Sequence, residues 1–413
     1  MTRRSVEADS GERDVTDGER PTMPVPTGTR VVVVTGASAG VGRAVVDAFA
    51  ARGNAVGLIA RGEMGLQGAA ADAMERGAAA VLPVAADVSN ADEVEEAAQR
   101  IEEELGPIGV WVNCAGVGMF ARSWDVRPEE YRRVLEVNYL GTVHGTLAAL
   151  ERMRPRGSGT VVQVSSVQAF HGVPQQAASS AAAHAVKGFT DTVRAELRQE
   201  GSAVRVSTVR LPSTNTPWFG WARVRTARHP RPLPPVYRPE EAARAVLLAA
   251  DHAPRDVWVD GSTVLTRLAD VLAPGLLDGY LIRAVTRASG DLVSPEGRQG
   301  NLDAPTDDIA DYGAEGRFDW PTRRRSWLLD AQAGLRGTGT RLVGTSVGTV
   351  IAAAALRSGA GLVRVRQRAR RVFRDLQWEW SRRRHGRRTV RSVGEVPAPR
   401  RGTHHARNNA GMG

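Results

Sequence analysis

Several things are nearly absent from this 413-residue chain, and each absence excludes something. The single cysteine, Cys114, rules out an intramolecular disulfide framework and points to a reducing compartment. Lys187 is the single lysine among 55 basic residues, so arginine abundance by itself says little about partners. Tyrosine is scarce, and none occurs between Tyr139 and Tyr237. The first 28 residues contain no apolar run; they are polar with charges of both signs, so no secretory leader is expected and the segment is expected to be a disordered tail. No metal site is expected.

What is present is globular in character: 42% hydrophobic and 24% charged residues, enough for one large domain with appendages. The formal net charge of +10 is unevenly placed. Between Arg364 and Gly413 stand 15 arginines and three acids, which leaves the rest of the chain close to neutral. From 29 to 265, valine-rich runs alternate with segments of helical period. The strand candidates are 30–34, 55–60, 80–86, 108–113, 160–165, 204–209 and 256–259. Their nearly continuous hydrophobicity suits strands buried on both faces of a parallel sheet. Helical segments such as 91–105 and 239–252 separate them, and the alternation predicts an α/β, doubly wound parallel sheet, the Rossmann fold. One main domain, 29–265, is expected to be followed by an extension, 266–335, that is helical to about 290 and irregular over the surface through 291–325.

The first strand runs into TGASAGVG, which puts Gly36, Gly40 and Gly42 in the turn before a helix. Glycine lets the backbone approach a pyrophosphate, and a helix N-terminus supplies N–H donors and partial positive charge. The strand before and the helix after give the motif its context. Together with NCAG at 113–116, VNYLG at 137–141, Asp87-Val88 and VSS at 164–166, it resembles the short-chain dehydrogenases/reductases over roughly 29–265, and more loosely the family's long-tailed bacterial members beyond that. The resemblance implies reversible hydride transfer between a nicotinamide and an alcohol or carbonyl. It also implies a cofactor bordered by Thr35, Gly36, Ser38, Gly40, Val41, Gly42, Asp87, Val88, Asn113, Ala115, Gly116, Pro212 and Thr216. The second strand ends at Arg61 with no acid for a ribose 2′-hydroxyl. Arg61, helped by Arg43, could instead pair with a 2′-phosphate, so NADP(H) is expected ahead of NAD.

By the same resemblance, a serine polarises the carbonyl, a tyrosine transfers the proton, a lysine four residues later lowers the tyrosine pKa, and an asparagine holds a water relay. Ser166 and Asn138 match the serine and asparagine. The tyrosine and lysine slots hold Ser179 and Ala183, with HAVKGF (184–189) fixing the register. A positioned general acid is worth roughly 10²- to 10⁴-fold in rate, so the usual route is expected to be crippled while the helix survives. His171 is the leading candidate to substitute, His184 a weaker one, and Lys187 reads as a helix-surface residue. Either a natural member has drifted into a non-catalytic role or the site has been deliberately inactivated; both readings stand at this point.

Trp218, Phe219, Trp221 and Tyr237 lie where the family covers its substrate, which implies a small apolar alcohol or carbonyl ligand. The segment 336–360 contains 15 uncharged residues, Leu342 to Leu356, with a GxxxG step at Gly344 and Gly348; a membrane span usually needs about 20. The segment 361–413 reads as a basic amphipathic helix followed by a disordered end, suited to an anionic membrane surface rather than to nucleic acid. The protein is therefore expected in the cytoplasm, peripheral to or tail-anchored at a membrane. It is also expected to be a homo-oligomer or to pair with an intact relative through the helices beginning near Arg127 and Gln175.

Overall fold

Seven valine-rich segments line up as one parallel sheet. They are β1 (Val31–Thr35), β2 (Ala55–Ala60), β3 (Ala80–Ala85), β4 (Ile108–Asn113), β5 (Thr160–Ser166), β6 (Arg205–Leu211) and β7 (Asp256–Trp258). Their spatial order is β7-β6-β5-β4-β1-β2-β3, with every neighbouring pair parallel. All seven coincide within two residues or so with the runs expected from sequence. The computed structural model describes residues 28–292, 300–318 and 322–337.

The strand period of two sends alternate side chains to opposite faces. Val32 and Val34 therefore join one buried cluster with Val45, Phe49 and Val246, while Val31 and Val33 join another with Ile101, Trp111 and Met153. The first face is covered by α1 (Gly40–Ala50) and α7 (Pro239–His252), with α2 (Glu63–Glu75) beside them. The second is covered by α3 (Ala91–Leu105), α5 (Gly141–Arg156) and α6 (Ala177–Gln199), with α4 (Pro128–Leu135) leading into α5. α3 starts where Asn90 accepts the N–H of Asp92 at 3.1 Å, a side-chain cap for an otherwise unpaired first turn. α4 starts with Pro128 at its first position, where the missing N–H costs nothing.

The chain beyond the sheet departs from expectation. The boundary expected at 265 falls inside α8 (Gly261–Leu272), and α9 (Pro274–Arg287) follows after a break at Ala273, before a proline. The irregular stretch is real at 300–318, but it does not merely cross the surface. Leu302 is fully buried in the second cluster, and Leu329 of α10 (Trp327–Gly337) is buried in the first. Extension and sheet thus share one core. Residues 1–27, the apolar stretch 342–356 and the basic segment 361–413 lie outside the described residues. Among the described residues, no helix is long and apolar enough to cross a membrane.

Helix α1 meets the sheet at a contact that only glycine permits. A Cβ on Gly42 would lie 2.0 Å from the Gly36 carbonyl oxygen, and one on Gly36 (φ +67°) would lie 2.7 Å from Ala115 Cα. Gly42→Ala is expected to lower stability by about 1–3 kcal/mol through this overpacking. A thermal melt that superimposes on the parent's would contradict the contact.

Candidate dinucleotide and substrate groove

At the carboxyl ends of the strands, between β1 and β4, the strand order reverses, and a groove opens there as expected for doubly wound sheets. The Thr35 hydroxyl oxygen accepts the amide N–H groups of Cys114 (3.1 Å) and Ala115 (3.2 Å), tying the ends of the two strands together. One half of the groove is lined by Gly36, Ser38, Gly40, Val41, Gly42, Arg61, Asp87, Val88, Ala115, Gly116 and Thr216. The glycine turn thus brings backbone to the groove at a helix N-terminus, the kind of place that holds a pyrophosphate, with the Gly40 N–H itself donating to the Gly313 carbonyl. Asp87 is held in place by Ser89 and Arg133. Burial pushes its carboxyl up, but the Ser89 and Arg133 hydrogen bonds outweigh this and keep it below the usual range.

Four of the residues expected at the cofactor do not line this half, and one of them, Pro212, lines the other half instead. Thr35 lies beneath the turn. Asn113 is buried, its amide donating to Thr146 and Gln163 and its oxygen accepting from Trp111. Arg43 is 2% exposed and fully engaged by Asp72, Asp311 and the carbonyls of Ser38 and Gly65. Its five N–H donors face carboxylates and carbonyls, so it cannot turn to a 2′-phosphate. Arg61 does line the groove, but it donates to the carbonyls of Asn301 (2.7 Å) and Asp303 (3.4 Å).

The other half of the groove brings Asn138, Ser166, Ser179 and Ala183 together with Pro212, Trp218 and Phe219. Asn138 sits in a π-turn, Glu136–Leu140, a local widening common at functional sites. Its amide exchanges two 2.8 Å hydrogen bonds with the backbone of Val117. Ser179 and Ala183 are four apart on α6 and so share one face of the helix. The Ser179 hydroxyl is buried and, among the described residues, has no hydrogen-bond partner. The groove halves share Cys114, whose thiol burial pushes up to about 12, which removes it as a nucleophile at neutral pH.

Among the described residues, His171, His184, Lys187, Tyr139 and Tyr237 all lie outside the lining of the substrate half. His171 is turned toward Asp270 and Asp278, 3.1 Å from each. His184 Nδ1 is 2.8 Å from the Ser180 carbonyl, and Lys187 pairs with Asp191 at 2.9 Å. Tyr139 packs edge-on against Phe189. Tyr237, expected over the substrate, is 1% exposed and donates to Asp260 at 2.6 Å; burial first, then that carboxylate, push its phenol up to about 12.

Sequence reasoning missed the roof of the groove. Residues 300–318 run across it as a strap, and Asn301, Pro305 and Asp307 line the dinucleotide half. The strap is fastened by Asp303 to Arg223 (2.6 Å), by the Gly313 carbonyl to the Gly40 N–H (3.0 Å), and by Gly316 to Asn215. Tyr312 packs edge-on to Trp221 and Phe318 edge-on to Phe219. The run of four aspartates from Asp303 to Asp311 was the available signal, but nothing in it says where it docks.

A glycine cradle at the switch point, with a serine and a clamped asparagine beside it, defines a dinucleotide-binding oxidoreductase fold. The chain belongs to the short-chain dehydrogenase family, whose model matches residues 30–224. It is 31% identical over 253 residues to an uncharacterized oxidoreductase, YxnA, of Bacillus subtilis, covering 60% of this chain and 70% of that one. It is also 31% identical to the 3-dehydrosphinganine reductase of Danio rerio over 193 residues, 46% of this chain and 57% of the relative. A short chain dehydrogenase/reductase from Burkholderia phymatum, solved in complex with NAD, shares the fold at a TM-score of 0.54 and 23% identity, over 58% of this chain and 92% of that one.

Residues 218–225, a lid that carries Trp218 and Phe219 into the substrate half, are anchored to α4 by a buried ion cluster. Glu130, 2% exposed, accepts from Arg223 (2.9 Å) and Arg225 (2.6 Å). Burial pushes its carboxyl up, yet the Arg127 amide and the surrounding guanidiniums together hold it below the usual value. A depressed folded-state pKa contributes stability that is present above the unfolded value and lost as pH falls through the folded one. Glu130→Gln is therefore expected to cost about 3–5 kcal/mol near neutrality, as breaking a buried pair does. Its deficit relative to the parent should shrink below about pH 4. Denaturant melts at several pH values check this, and a deficit independent of pH would count against the cluster.

Proposed function

We propose that this short-chain dehydrogenase binds a nicotinamide dinucleotide and a small apolar carbonyl or alcohol but lacks the residues for the family's proton transfer, so turnover is impaired. One observation carries the reading: Ser179 and Ala183 face the same hollow as Ser166 and Asn138. Gly36, Gly40, Val41 and Gly42 would hold the pyrophosphate, with Val88, Ala115, Gly116 and Thr216 along the rest of the cofactor. When bound, the nicotinamide supplies or accepts a hydride. Ser166 Oγ, oriented by the Gln168 N–H at 3.1 Å, would donate to a substrate carbonyl oxygen. Asn138, clamped to Val117, would keep the turn beside it open. Trp218, Phe219 and Leu233 exclude water from that half, which supports an apolar ligand. Ser179 has a hydroxyl too short and too weakly acidic to replace a phenol, and Ala183 brings no charge to lower a pKa.

The expected preference for NADP(H) rested on Arg61 and Arg43, and both are committed to strap and helix partners. A non-catalytic cofactor-binding subunit, paired with an intact relative, is the alternative role. Association has support of its own. Leu265, Leu268, Val271, Leu272, Leu276, Tyr280 and Ile282 on α8 and α9 are each at least half exposed, an apolar ridge large enough to engage a lipid surface or another subunit.

The test is NADH and NADPH oxidation over a carbonyl panel, by the parent and by the Ser179→Tyr/Ala183→Lys variant. The parent is expected to be inactive or nearly so, and the restored pair to gain at least about 10²-fold. Adding Ser166→Ala should abolish the gain. Parent turnover equal to that of the restored variant would sink the reading.

A further inference from the structure

Of the three buried polar atoms of the strap that have no partner among the described residues, two belong to residues that line the dinucleotide half of the groove. They are Asn301 Oδ1 and Asp307 Oδ2, on side chains 7% and 5% exposed. Buried amide and carboxylate oxygens are seldom left unpaired, so each orphan calls for a donor from a ligand or a water.

The position of Asp307 is set by its backbone. Helix α2 begins after Gly62, which has no side chain to cap it, and the strap takes over that role. The Asp307 carbonyl accepts the Gly65 N–H at 2.9 Å, and the Asp308 carboxylate accepts the Glu63 N–H at 3.3 Å. The carboxylate of Asp307 then lies over Gly62 and Gly65 and beside Ser38. Side chains at the two glycines would collide with it, a Cβ at Gly62 coming within 2.2 Å of Oδ1 and one at Gly65 within 2.6 Å of Oδ2. Glycine at 62 and 65 is what makes room for an acid that arrives from 240 residues away. The positive end of α2 favours its charge there.

This is the end of β2, flanked by the glycine turn, where a dinucleotide places its adenine-side ribose in doubly wound folds and where an acid, when present, accepts the ribose 2′-hydroxyl. β2 itself ends in Ala60-Arg61 and has no acid to offer. We infer that Asp307, carried in by the strap, is the residue that recognises the adenine-side ribose and makes the site selective for NAD(H) over NADP(H). A 2′-hydroxyl gives Oδ2 the donor it lacks. A 2′-phosphate would set a dianion against that carboxylate, with Asp303, Asp308 and Asp311 on the same strap, Arg43 paired with two carboxylates, and Arg61 held by strap carbonyls 3.8 Å from Asp87. The inference rests on the dinucleotide reading above.

The experiment is fluorescence titration of the full-length protein with NADH and NADPH at one ionic strength, for the parent, Asp307→Asn and Asp307→Ala, with near-UV circular dichroism as the check of fold. The parent should bind NADH at least about tenfold more tightly than NADPH. Asp307→Ala should weaken NADH about 10- to 100-fold, the loss of a hydrogen bond to a charged group. Asp307→Asn removes the charge at constant shape and should narrow the preference mainly by improving NADPH. A parent that prefers NADPH or does not discriminate overturns the inference and leaves dinucleotide binding standing. An unchanged preference in both folded variants also overturns it, assigning Oδ2 to a water. Binding of neither dinucleotide by the parent removes both readings together. Should the variants fail to fold, the parent's own preference decides.

Discussion

A close backbone approach lies at the crossing of β1, β4 and α1. There the Gly36 carbonyl meets Gly42, and Gly36 meets Ala115. A side chain at either glycine would force strand and helix apart. Because they touch, α1 points its N-terminus across the ends of the strands, and the Thr35 hydroxyl can bridge to the amides of Cys114 and Ala115. The groove exists because the chain turns away on opposite sides of this junction. Every residue assigned to cofactor or substrate is placed relative to it.

Two layers complete the groove, and they have different physical origins. Its floor is made of strand ends and helix starts whose geometry follows from burying valine on both faces of a parallel sheet. Its roof is made of the lid around Trp218–Trp221 and the strap, which are held by polar contacts: Glu130 to Arg223, Arg223 to Asp303, Asp311 to Arg43. Arg223 joins α4, lid and strap at once. The arginines of this region thus order long-range loops by pairing with carboxylates brought in from elsewhere in the chain.

The site presents a fold intact around a missing pair. Serine and alanine at 179 and 183 keep α6 helical, since neither opposes helix formation strongly, and the surrounding wall retains its serine, its clamped asparagine and its aromatic cover. The nearby groups that could carry a proton are each engaged elsewhere: His171 by two aspartates, Tyr237 by Asp260, Lys187 by Asp191. The two side chains at 179 and 183 leave the surrounding architecture of the groove undisturbed.

Much of this was legible in the residues. Strand positions followed from continuous valine runs, because burial on both faces demands them whatever the neighbours are. The glycine turn followed from TGASAGVG, since close backbone approach admits no other residue at 36 and 42. The vacancy at 179 and 183 followed from register, as helical spacing is local. What could not be read was which charge meets which. Arg43 and Arg61 looked like phosphate ligands because an arginine in sequence carries no record of its partner. The strap looked like surface because four aspartates are hydrophilic anywhere. Local geometry is written in neighbouring residues, so the sequence by itself determined the sheet, the turn and the missing pair. Ion pairs between positions 43 and 311 or 223 and 303, and an aspartate at 307 set against glycines at 62 and 65, depend on contacts that only the folded chain creates, and these the tertiary structure alone decided.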